Sequence, residues 1–384
     1  MQIFQPFIGA GKRPRLACEI RPEGIVAARA DDAAGSIAAA AQVSLPRGSL
    51  SAGPRPGNLV DRAVIVAALQ RVLDQVADRT NDVTLIVPDN AVRVLLLDFD
   101  SLPNKPAEAL PVVRFRLKKL LPFEAEDAAV SYQIMSGRNG LVRVIAAAMP
   151  RDVLHEYEFA MQDAGYGPGA VLPSTLAAIA GLNPDSASLI VNAGSGSVTT
   201  AIVNADAVLL HRTLDLTAEV PSLQTVQNQE NVQTEEDAEA HRHHEMVMPE
   251  TTTALLAEID GGSPIAAQAA MQAAVLKHEL AVEAAVDARV PLAEAQEIAE
   301  AIAVAAAYYE DMVGSAPQDL LCAGNVGAVA VEALLKNSGF GERFPRVREL
   351  VGNAQMLAGA NTTGVVRGLL AGVAGALKTG ATNL

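Results

Sequence analysis

Leu189 to Leu214 reads LIVNAGSGSVTTAIVNADAVLLHRTL. Three β-rich runs stand out, at Ser188–Val191, Val198–Val203 and Val208–Thr213, with turns at Asn192–Ser197 and Asn204–Ala207. Short apolar runs bounded by Gly, Ser, Asn and Asp are the sequence form of antiparallel strands. The first turn carries the chemistry. Gly194 and Gly196 are free to take positive φ, and Ser195 and Ser197 bring N–H groups and hydroxyls into the bend. Such a loop can cradle a phosphate, because several N–H dipoles converge with no side chain in the way. The other reading is a plain hairpin closed by small residues, since Gly and Ser populate ordinary turns too. The residues alone leave both open.

Upstream, Leu16–Ile20 and Ile25–Arg29 form a strand pair around Arg21-Pro22-Glu23-Gly24, a sequence suited to a tight reversal. A third strand is expected near Ala40–Leu45 and a helix over Leu59–Asp78, where Val64, Ala67, Ala68, Val72 and Val76 keep helical spacing. Val83–Val87 is nearly all apolar, the pattern of a strand covered on both faces. The chain continues with a strand at Ala91–Leu97, a helix at Val112–Leu121 stopped by Pro122, and a strand pair, Ala128–Ile134 and Leu141–Ala148, around the turn at 137–140. Helices at Arg151–Ala164 and Pro173–Leu182 lead back to the central stretch.

Downstream, Glu219–Thr253 is rich in Gln, Glu, Asn, Thr and His and has no hydrophobic period. Such a tract is expected to be disordered, because it buries too little apolar area to offset the entropy of ordering. His241, His243 and His244 beside Glu245 are metal-ligand types, but they read as a solvated run, since a metal site needs rigid geometry and supporting hydrogen bonds. Ala-rich helices are expected at Ile265–Val286 and Leu292–Val313, the second with Ile298, Ile302 and Tyr309 along one stripe. A strand at Asp319–Ala323, a turn at Gly324–Gly327 and a helix at Ala328–Lys336 follow. The last helix, about Thr363–Leu377, contains Gly368, Gly372 and Gly375, and its apolar run Leu369–Leu377 is too short to span a bilayer.

The whole composition narrows the function. At 384 residues, about two domains are expected. Half the residues are apolar, yet aromatics are 3% and Trp is absent, so the core must be built from Ala, Val and Leu. A net charge of −15 argues against a nucleic-acid binder, which needs a basic footprint, and against direct adhesion to an anionic membrane. Cys18 and Cys322 are far apart and read as free buried thiols of a reducing compartment. With no secretory signal and no membrane span, a soluble cytoplasmic protein is expected. No Ser/His/Asp, Cys/His or paired-carboxylate constellation stands out, so no hydrolase or oxidoreductase reading is supported.

Arg114 to Met135 reads RFRLKKLLPFEAEDAAVSYQIM. A charged amphipathic helix, Leu-Pro-Phe and an acidic link to a strand with Tyr resemble the PilM family of type IV pilus assembly. That family is related to the cytoplasmic part of the type II secretion protein GspL and to the division protein FtsA. Val83–Asn90, Val144–Gly165 and Val171–Leu182 resemble the same family in the same order. The resemblance covers roughly residues 80–215 and, more weakly, 290–377.

The resemblance implies an α/β, two-lobed actin-like (ribonuclease H-like) ATPase fold. Residues 1–90 and 150–185 would form the first lobe, 91–149 an inserted PilM/FtsA-type subdomain, and 186–216 with 290–384 the second lobe. The nucleotide-capping subdomain would be reduced or replaced by a polar insertion, 217–262, and an Ala-rich helix, 263–289. The family binds ATP with Mg²⁺ between its lobes and takes the N-terminal cytoplasmic peptide of the membrane protein PilN. It implies nucleotide contacts at Arg21, Asn192, Gly194, Ser195, Gly196, Ser197, Gly324 and Asn325.

The departures from the family pattern are as informative. Where the family resembles Asp-Ile-Gly-Ser-Ser-Ser, this chain has Glu19-Ile20-Arg21-Pro22-Glu23-Gly24. Pro22 has no N–H, and Glu23 would set negative charge beside a phosphate. The metal-side Asp is Asn192, a poorer Mg²⁺ partner, and the Gly-Gly of the adenosine side is Ala323-Gly324-Asn325. These changes argue against ATP hydrolysis and weaken the expectation of ATP binding, while Arg21 offers one compensating cation. The leading expectation is an adaptor for a PilN-like peptide in the pilus inner-membrane complex, reached from the cytoplasm through that partner. A working ATP switch, or a GspL-like secretion role, is the alternative, and a homo-oligomer is compatible with either. Arg114, Arg116, Lys118 and Lys119, locally basic in an acidic chain, are the candidate partner surface or else a solvated helix face.

Overall fold

A computed structural model describes residues 14–78, 80–135, 140–182, 187–204, 207–216, 292–362 and 364–378. The polar tract at 219–253, the helix expected at 265–286, the three histidines and most of the turn at 137–140 lie outside the described residues.

The first sheet begins with β1 (Leu16–Arg21), β2 (Gly24–Ala30) and β3 (Ile37–Ser44), an antiparallel meander. Every residue of β1 is buried, as a central strand requires. α1 (Arg62–Val76) starts where the Asp61 carboxylate accepts the Val64 N–H at 3.2 Å, three residues later than its apolar spacing indicates. Its stripe of Ile65, Leu69, Val72 and Leu73 is fully buried. β4 (Asp82–Val87) then pairs parallel with β1, and its five apolar-run positions are buried as expected.

Between β4 and the return to that sheet sits a three-stranded antiparallel sheet of β5 (Arg93–Phe99), β6 (Ala128–Met135) and β7 (Val142–Pro150), in the order β5-β7-β6. α2 covers one face, with Val113 and Leu117 against Leu97, Val144 and Ala146. The helix spans Pro106–Leu117 rather than 112–121. Pro106 opens it at a first-turn position where no N–H is needed, and Pro111 is carried inside it because the carbonyl it leaves unpaired belongs to exposed Ala107.

α3 (Arg151–Asp163) precedes β8 (Gly167–Pro173), a strand the sequence reading did not anticipate. Its Gly-Pro-Gly start is compatible with a strand because β8 is an edge of the sheet, where missing donors cost little. α4 (Ser174–Ala180) follows directly.

The second sheet contains β9 (Ser188–Gly194), β10 (Ser197–Asn204), β11 (Ala207–Asp215), β12 (Asp319–Gly324) and β13 (Arg346–Glu349). α5 (Leu292–Val313) precedes β12, and α6 (Gly327–Asn337) links it to β13. The strand order β11-β10-β9-β12-β13 repeats β3-β2-β1-β4-β8 of the first sheet. In both, an antiparallel meander is followed by two strands parallel to its first member. The fold is an internal duplication.

β14 (Met356–Asn361) returns to the first sheet beside β3, and α7 (Leu370–Lys378) packs against α4, β1 and β2. A methyl on Gly375 would lie 1.9 Å from the Ala177 carbonyl oxygen, so glycine is what lets α7 touch the α4 backbone. No helix among the described residues is long and apolar enough to cross a membrane.

Candidate functional site

The duplication sets the turn after β1 opposite the turn after β9. Arg21 pairs with Gly24, so the first turn is only Pro22-Glu23; Gly194 pairs with Ser197, so the second is Ser195-Gly196. Of the two glycines near the second turn, Gly196 takes positive φ (81°), whereas Gly194 is a strand residue. Asn192, expected inside the turn, lies two residues back in β9 and is buried.

A polar network fills the space between the two hairpins. The Arg21 Nε donates to Glu19 Oε1 at 2.7 Å, and its Nη2 donates to Ser174 Oγ at 2.9 Å and Asn192 Oδ1 at 2.7 Å. Ser174 Oγ donates in turn to Glu19 Oε1 at 2.6 Å. The Asn192 amide nitrogen donates to Ser174 Oγ and Thr175 Oγ1, both at 2.9 Å. The Thr175 N–H and hydroxyl close the chain on the Asp89 carboxylate. Donors and acceptors alternate consistently along the path, as a buried network requires if it is to rigidify the structure.

Each member is positioned by a strand or helix end. Glu19 and Arg21 are alternate residues on β1, Asp89 follows the Val87-Pro88 end of β4, Ser174 and Thr175 open α4, and Asn192 comes from β9. Glu19 is fully buried and Arg21 nearly so. Burial pushes the Glu19 carboxyl up, with Arg21 and Ser174 pulling against it; the net direction is upward. Burial also works against the Arg21 charge, but Glu19, Glu23 and Asp89 outweigh it and hold the guanidinium protonated.

Carboxylates outnumber cations in the lining of this cleft. Arg21, the one cation among the described residues that line the cleft, is surrounded by carboxylates. Glu23 turns its carboxylate toward the second hairpin, so that a methyl on Gly194 would meet Glu23 Oε1 at 2.8 Å. Pro22 offers no donor. The cleft lined by Arg21, Glu23, Asp89, Ser174, Asn192 and Ser195 encloses about 290 Å³ even with its open mouth counted.

Arg21, Asn192, Gly194, Ser195 and Ser197 of the expected site are thus brought to one cleft. Gly324 lies beside it with φ 91°, and a side chain there would sit 2.1 Å from the Ala193 carbonyl oxygen; its requirement is the close approach of β12 to β9. Asn325 is half-buried and outside the cleft lining. Sequence reasoning missed Glu19, Asp89, Ser174 and Thr175 as partners. The available signal was a lone Glu inside the otherwise apolar run Leu16–Ile20.

The basic residues of α2 are elsewhere and are not equivalent. Arg114 Nη1 donates to the carbonyls of Ala125 at 2.7 Å and Ala128 at 3.1 Å, and Lys118 pairs with Glu126 at 3.0 Å. Arg116 and Lys119 are exposed beside Phe115, itself 71% exposed.

With this geometry described, comparison with solved structures defines the class: the chain has the actin-like ATPase fold. Over 97% of its length it superposes on 99% of a chain from a PilM–PilN type IV pilus biogenesis complex, with TM-score 0.61 and 14% identity. It also matches the cytoplasmic domain of EpsL, an inner membrane component of the type II secretion system of Vibrio cholerae, over 52% of this chain and 71% of that one (TM-score 0.36, 14% identity). The ethanolamine utilization protein EutJ from Carboxydothermus hydrogenoformans matches over 97% and 93% (TM-score 0.37, 11% identity). No protein-family model and no curated protein sequence matches the chain.

Proposed function

We propose that this chain is a cytoplasmic adaptor of a type IV pilus-type assembly machine, which binds the cytoplasmic N-terminal segment of a PilN-like inner-membrane protein and is held at the membrane through it. Similarity of fold to the PilM–PilN complex over nearly the full length supports the partner. The cleft between the hairpins is, on this reading, a degenerate nucleotide site that neither binds nor hydrolyses ATP. The observation that carries it is Arg21, whose guanidinium is engaged by Glu19, Ser174 and Asn192 and so is not free for a phosphate.

Equilibrium binding to the purified protein tests both halves. A PilN-type N-terminal peptide is expected to bind saturably, and ATP with Mg²⁺ is expected not to bind at millimolar concentration. Saturable micromolar ATP binding would replace the adaptor by a nucleotide-controlled switch. Failure of the peptide, in a folded protein, would remove the pilus assignment.

A further inference from the structure

The cleft network leaves one carboxylate without a hydrogen bond. The Glu23 side chain is 10% exposed, and its nearest cationic atom, Arg21 Nη1, is 3.5 Å from Oε1. Both Glu23 oxygens are shielded from solvent and accept no hydrogen bond from the described residues. At that distance Arg21 attracts Glu23 but does not donate to it. Its Nε and Nη2 donors are committed to Glu19, Ser174 and Asn192. Three carboxylates, Glu19, Glu23 and Asp89, thus share one guanidinium. Glu23 keeps an ion pair with Arg21 but no donor to either oxygen, and a withdrawn carboxylate without a donor is costly and leaves acceptor capacity for a cation.

We infer that the mouth of this cleft, at Glu23 and the Ser195–Ser197 turn, binds a single monovalent cation, either an inorganic ion or the ammonium head of an amine. This rests on the reading that the cleft takes no nucleotide, because a phosphate there would meet the Glu23 carboxylate. A single carboxylate, with Ser195 and Ser197 among the residues lining the same cleft, suits a monovalent ion. Ca²⁺ and Mg²⁺ require about six oxygens, several of them charged, and among the described residues no cluster of three acidic, His or Cys side chains is placed to hold a metal. Arg21 behind Glu23 repels a second positive charge.

The test is thermal unfolding of the full chain at constant ionic strength in chloride salts of sodium, potassium, ammonium, methylammonium and choline, with Mg·ATP as a separate arm. One of the small cations is expected to raise the midpoint saturably over choline, and Glu23→Gln, which loses no hydrogen bond, is expected to weaken that ion at least tenfold. Sodium or potassium without methylammonium identifies an inorganic ion; ammonium and methylammonium without potassium identify an amine head. If Glu23→Gln does not fold, Gly194→Ala, whose methyl would lie 2.8 Å from Glu23 Oε1, is the second variant and is expected to weaken the same ion. No advantage of any small cation over choline, or equal binding by the folded variant, overturns the site while leaving the nucleotide reading intact. Saturable stabilisation by Mg·ATP overturns both.

Discussion

Arg21 Nη2 and Asn192 Oδ1 are 2.7 Å apart although their residues are separated by 171 positions. Because β1 and β9 are equivalent strands of the two repeated sheets, this bond joins the two halves of the duplication near the ends of corresponding strands, Arg21 closing β1 and Asn192 lying two residues before the end of β9. Here the protein's own guanidinium bridges the two hairpins.

Removing that guanidinium is expected to be costly. Arg21→Ala would leave Glu19, at 0% exposure, without its cation. Breaking a buried pair from one side typically costs about 3–5 kcal/mol. Urea unfolding should show a lower midpoint at unchanged slope. The double variant Arg21→Met/Glu19→Gln should recover much of the loss, since the unpaired charge is then gone. A single Arg21→Ala as stable as the parent would mean the network holds nothing together.

Asn192 tests why an amide, not a carboxylate, stands at the end of β9. Its nitrogen donates to Ser174 and Thr175, which a carboxylate cannot do. Asn192→Asp is expected to destabilise the protein by about 1–3 kcal/mol, the cost of two lost donors set against a closer charge for Arg21. It is also expected to gain no Mg²⁺-dependent nucleotide binding by calorimetry. Acquisition of such binding would show that residue 192 alone had disabled the cleft.

Much of the fold was legible because its central strands carry strong local signals. Val83–Val87 and Leu16–Ile20 are apolar runs broken by a single residue each, Thr84 and Glu19, and Leu292–Val313 has a clear helical stripe; all three elements form where expected. β8 was not legible, because Gly167, Pro168 and Gly169 weaken strand propensity and only an edge position accommodates them. Nor was the duplication, since strand order depends on pairings between residues far apart, such as Cys322 with Val191. The site divides the same way. The second turn could be located from Gly196 and its serines, but the cleft's content could not: Thr175 meets Asp89, and Ser174 meets Asn192, only after β4, β8 and β9 are assembled.

Stability should depend on pH through Glu349, which lies at the end of β13 and accepts the Ala328 N–H at 2.8 Å. Burial pushes its carboxyl up, against the pull of the Ala328 N–H and Arg367. A carboxyl raised in the folded state holds its proton more tightly there than in the unfolded chain. Its contribution is therefore full below about pH 4.3, the ordinary glutamate value, and is lost as pH rises through the folded value. Glu349→Gln keeps an oxygen for Ala328 but cannot titrate. The stability of the parent relative to this variant should fall as pH rises from about 4.3, measured by denaturant unfolding at each pH. A difference independent of pH would leave Glu349 without a role in acid stability.

The α2 surface separates structural from available charge, and the two should fail differently. Arg114 holds two carbonyls of the segment entering β6, so Arg114→Ala should lose about 1–3 kcal/mol of stability. Among the described residues Arg116 and Lys119 have no ion-pair partner, and they flank exposed Phe115. Arg116→Glu/Lys119→Glu should leave stability within about 0.5 kcal/mol, as surface changes usually do. The same double variant is expected to weaken a PilN-type peptide, and the loss should shrink as salt is added, because exposed charges act mainly through a screened field. Peptide titrations at low and high salt decide it. Binding unchanged at both would remove α2 from the partner surface, whereas equal weakening at both would point to lost contacts around Phe115 rather than to charge.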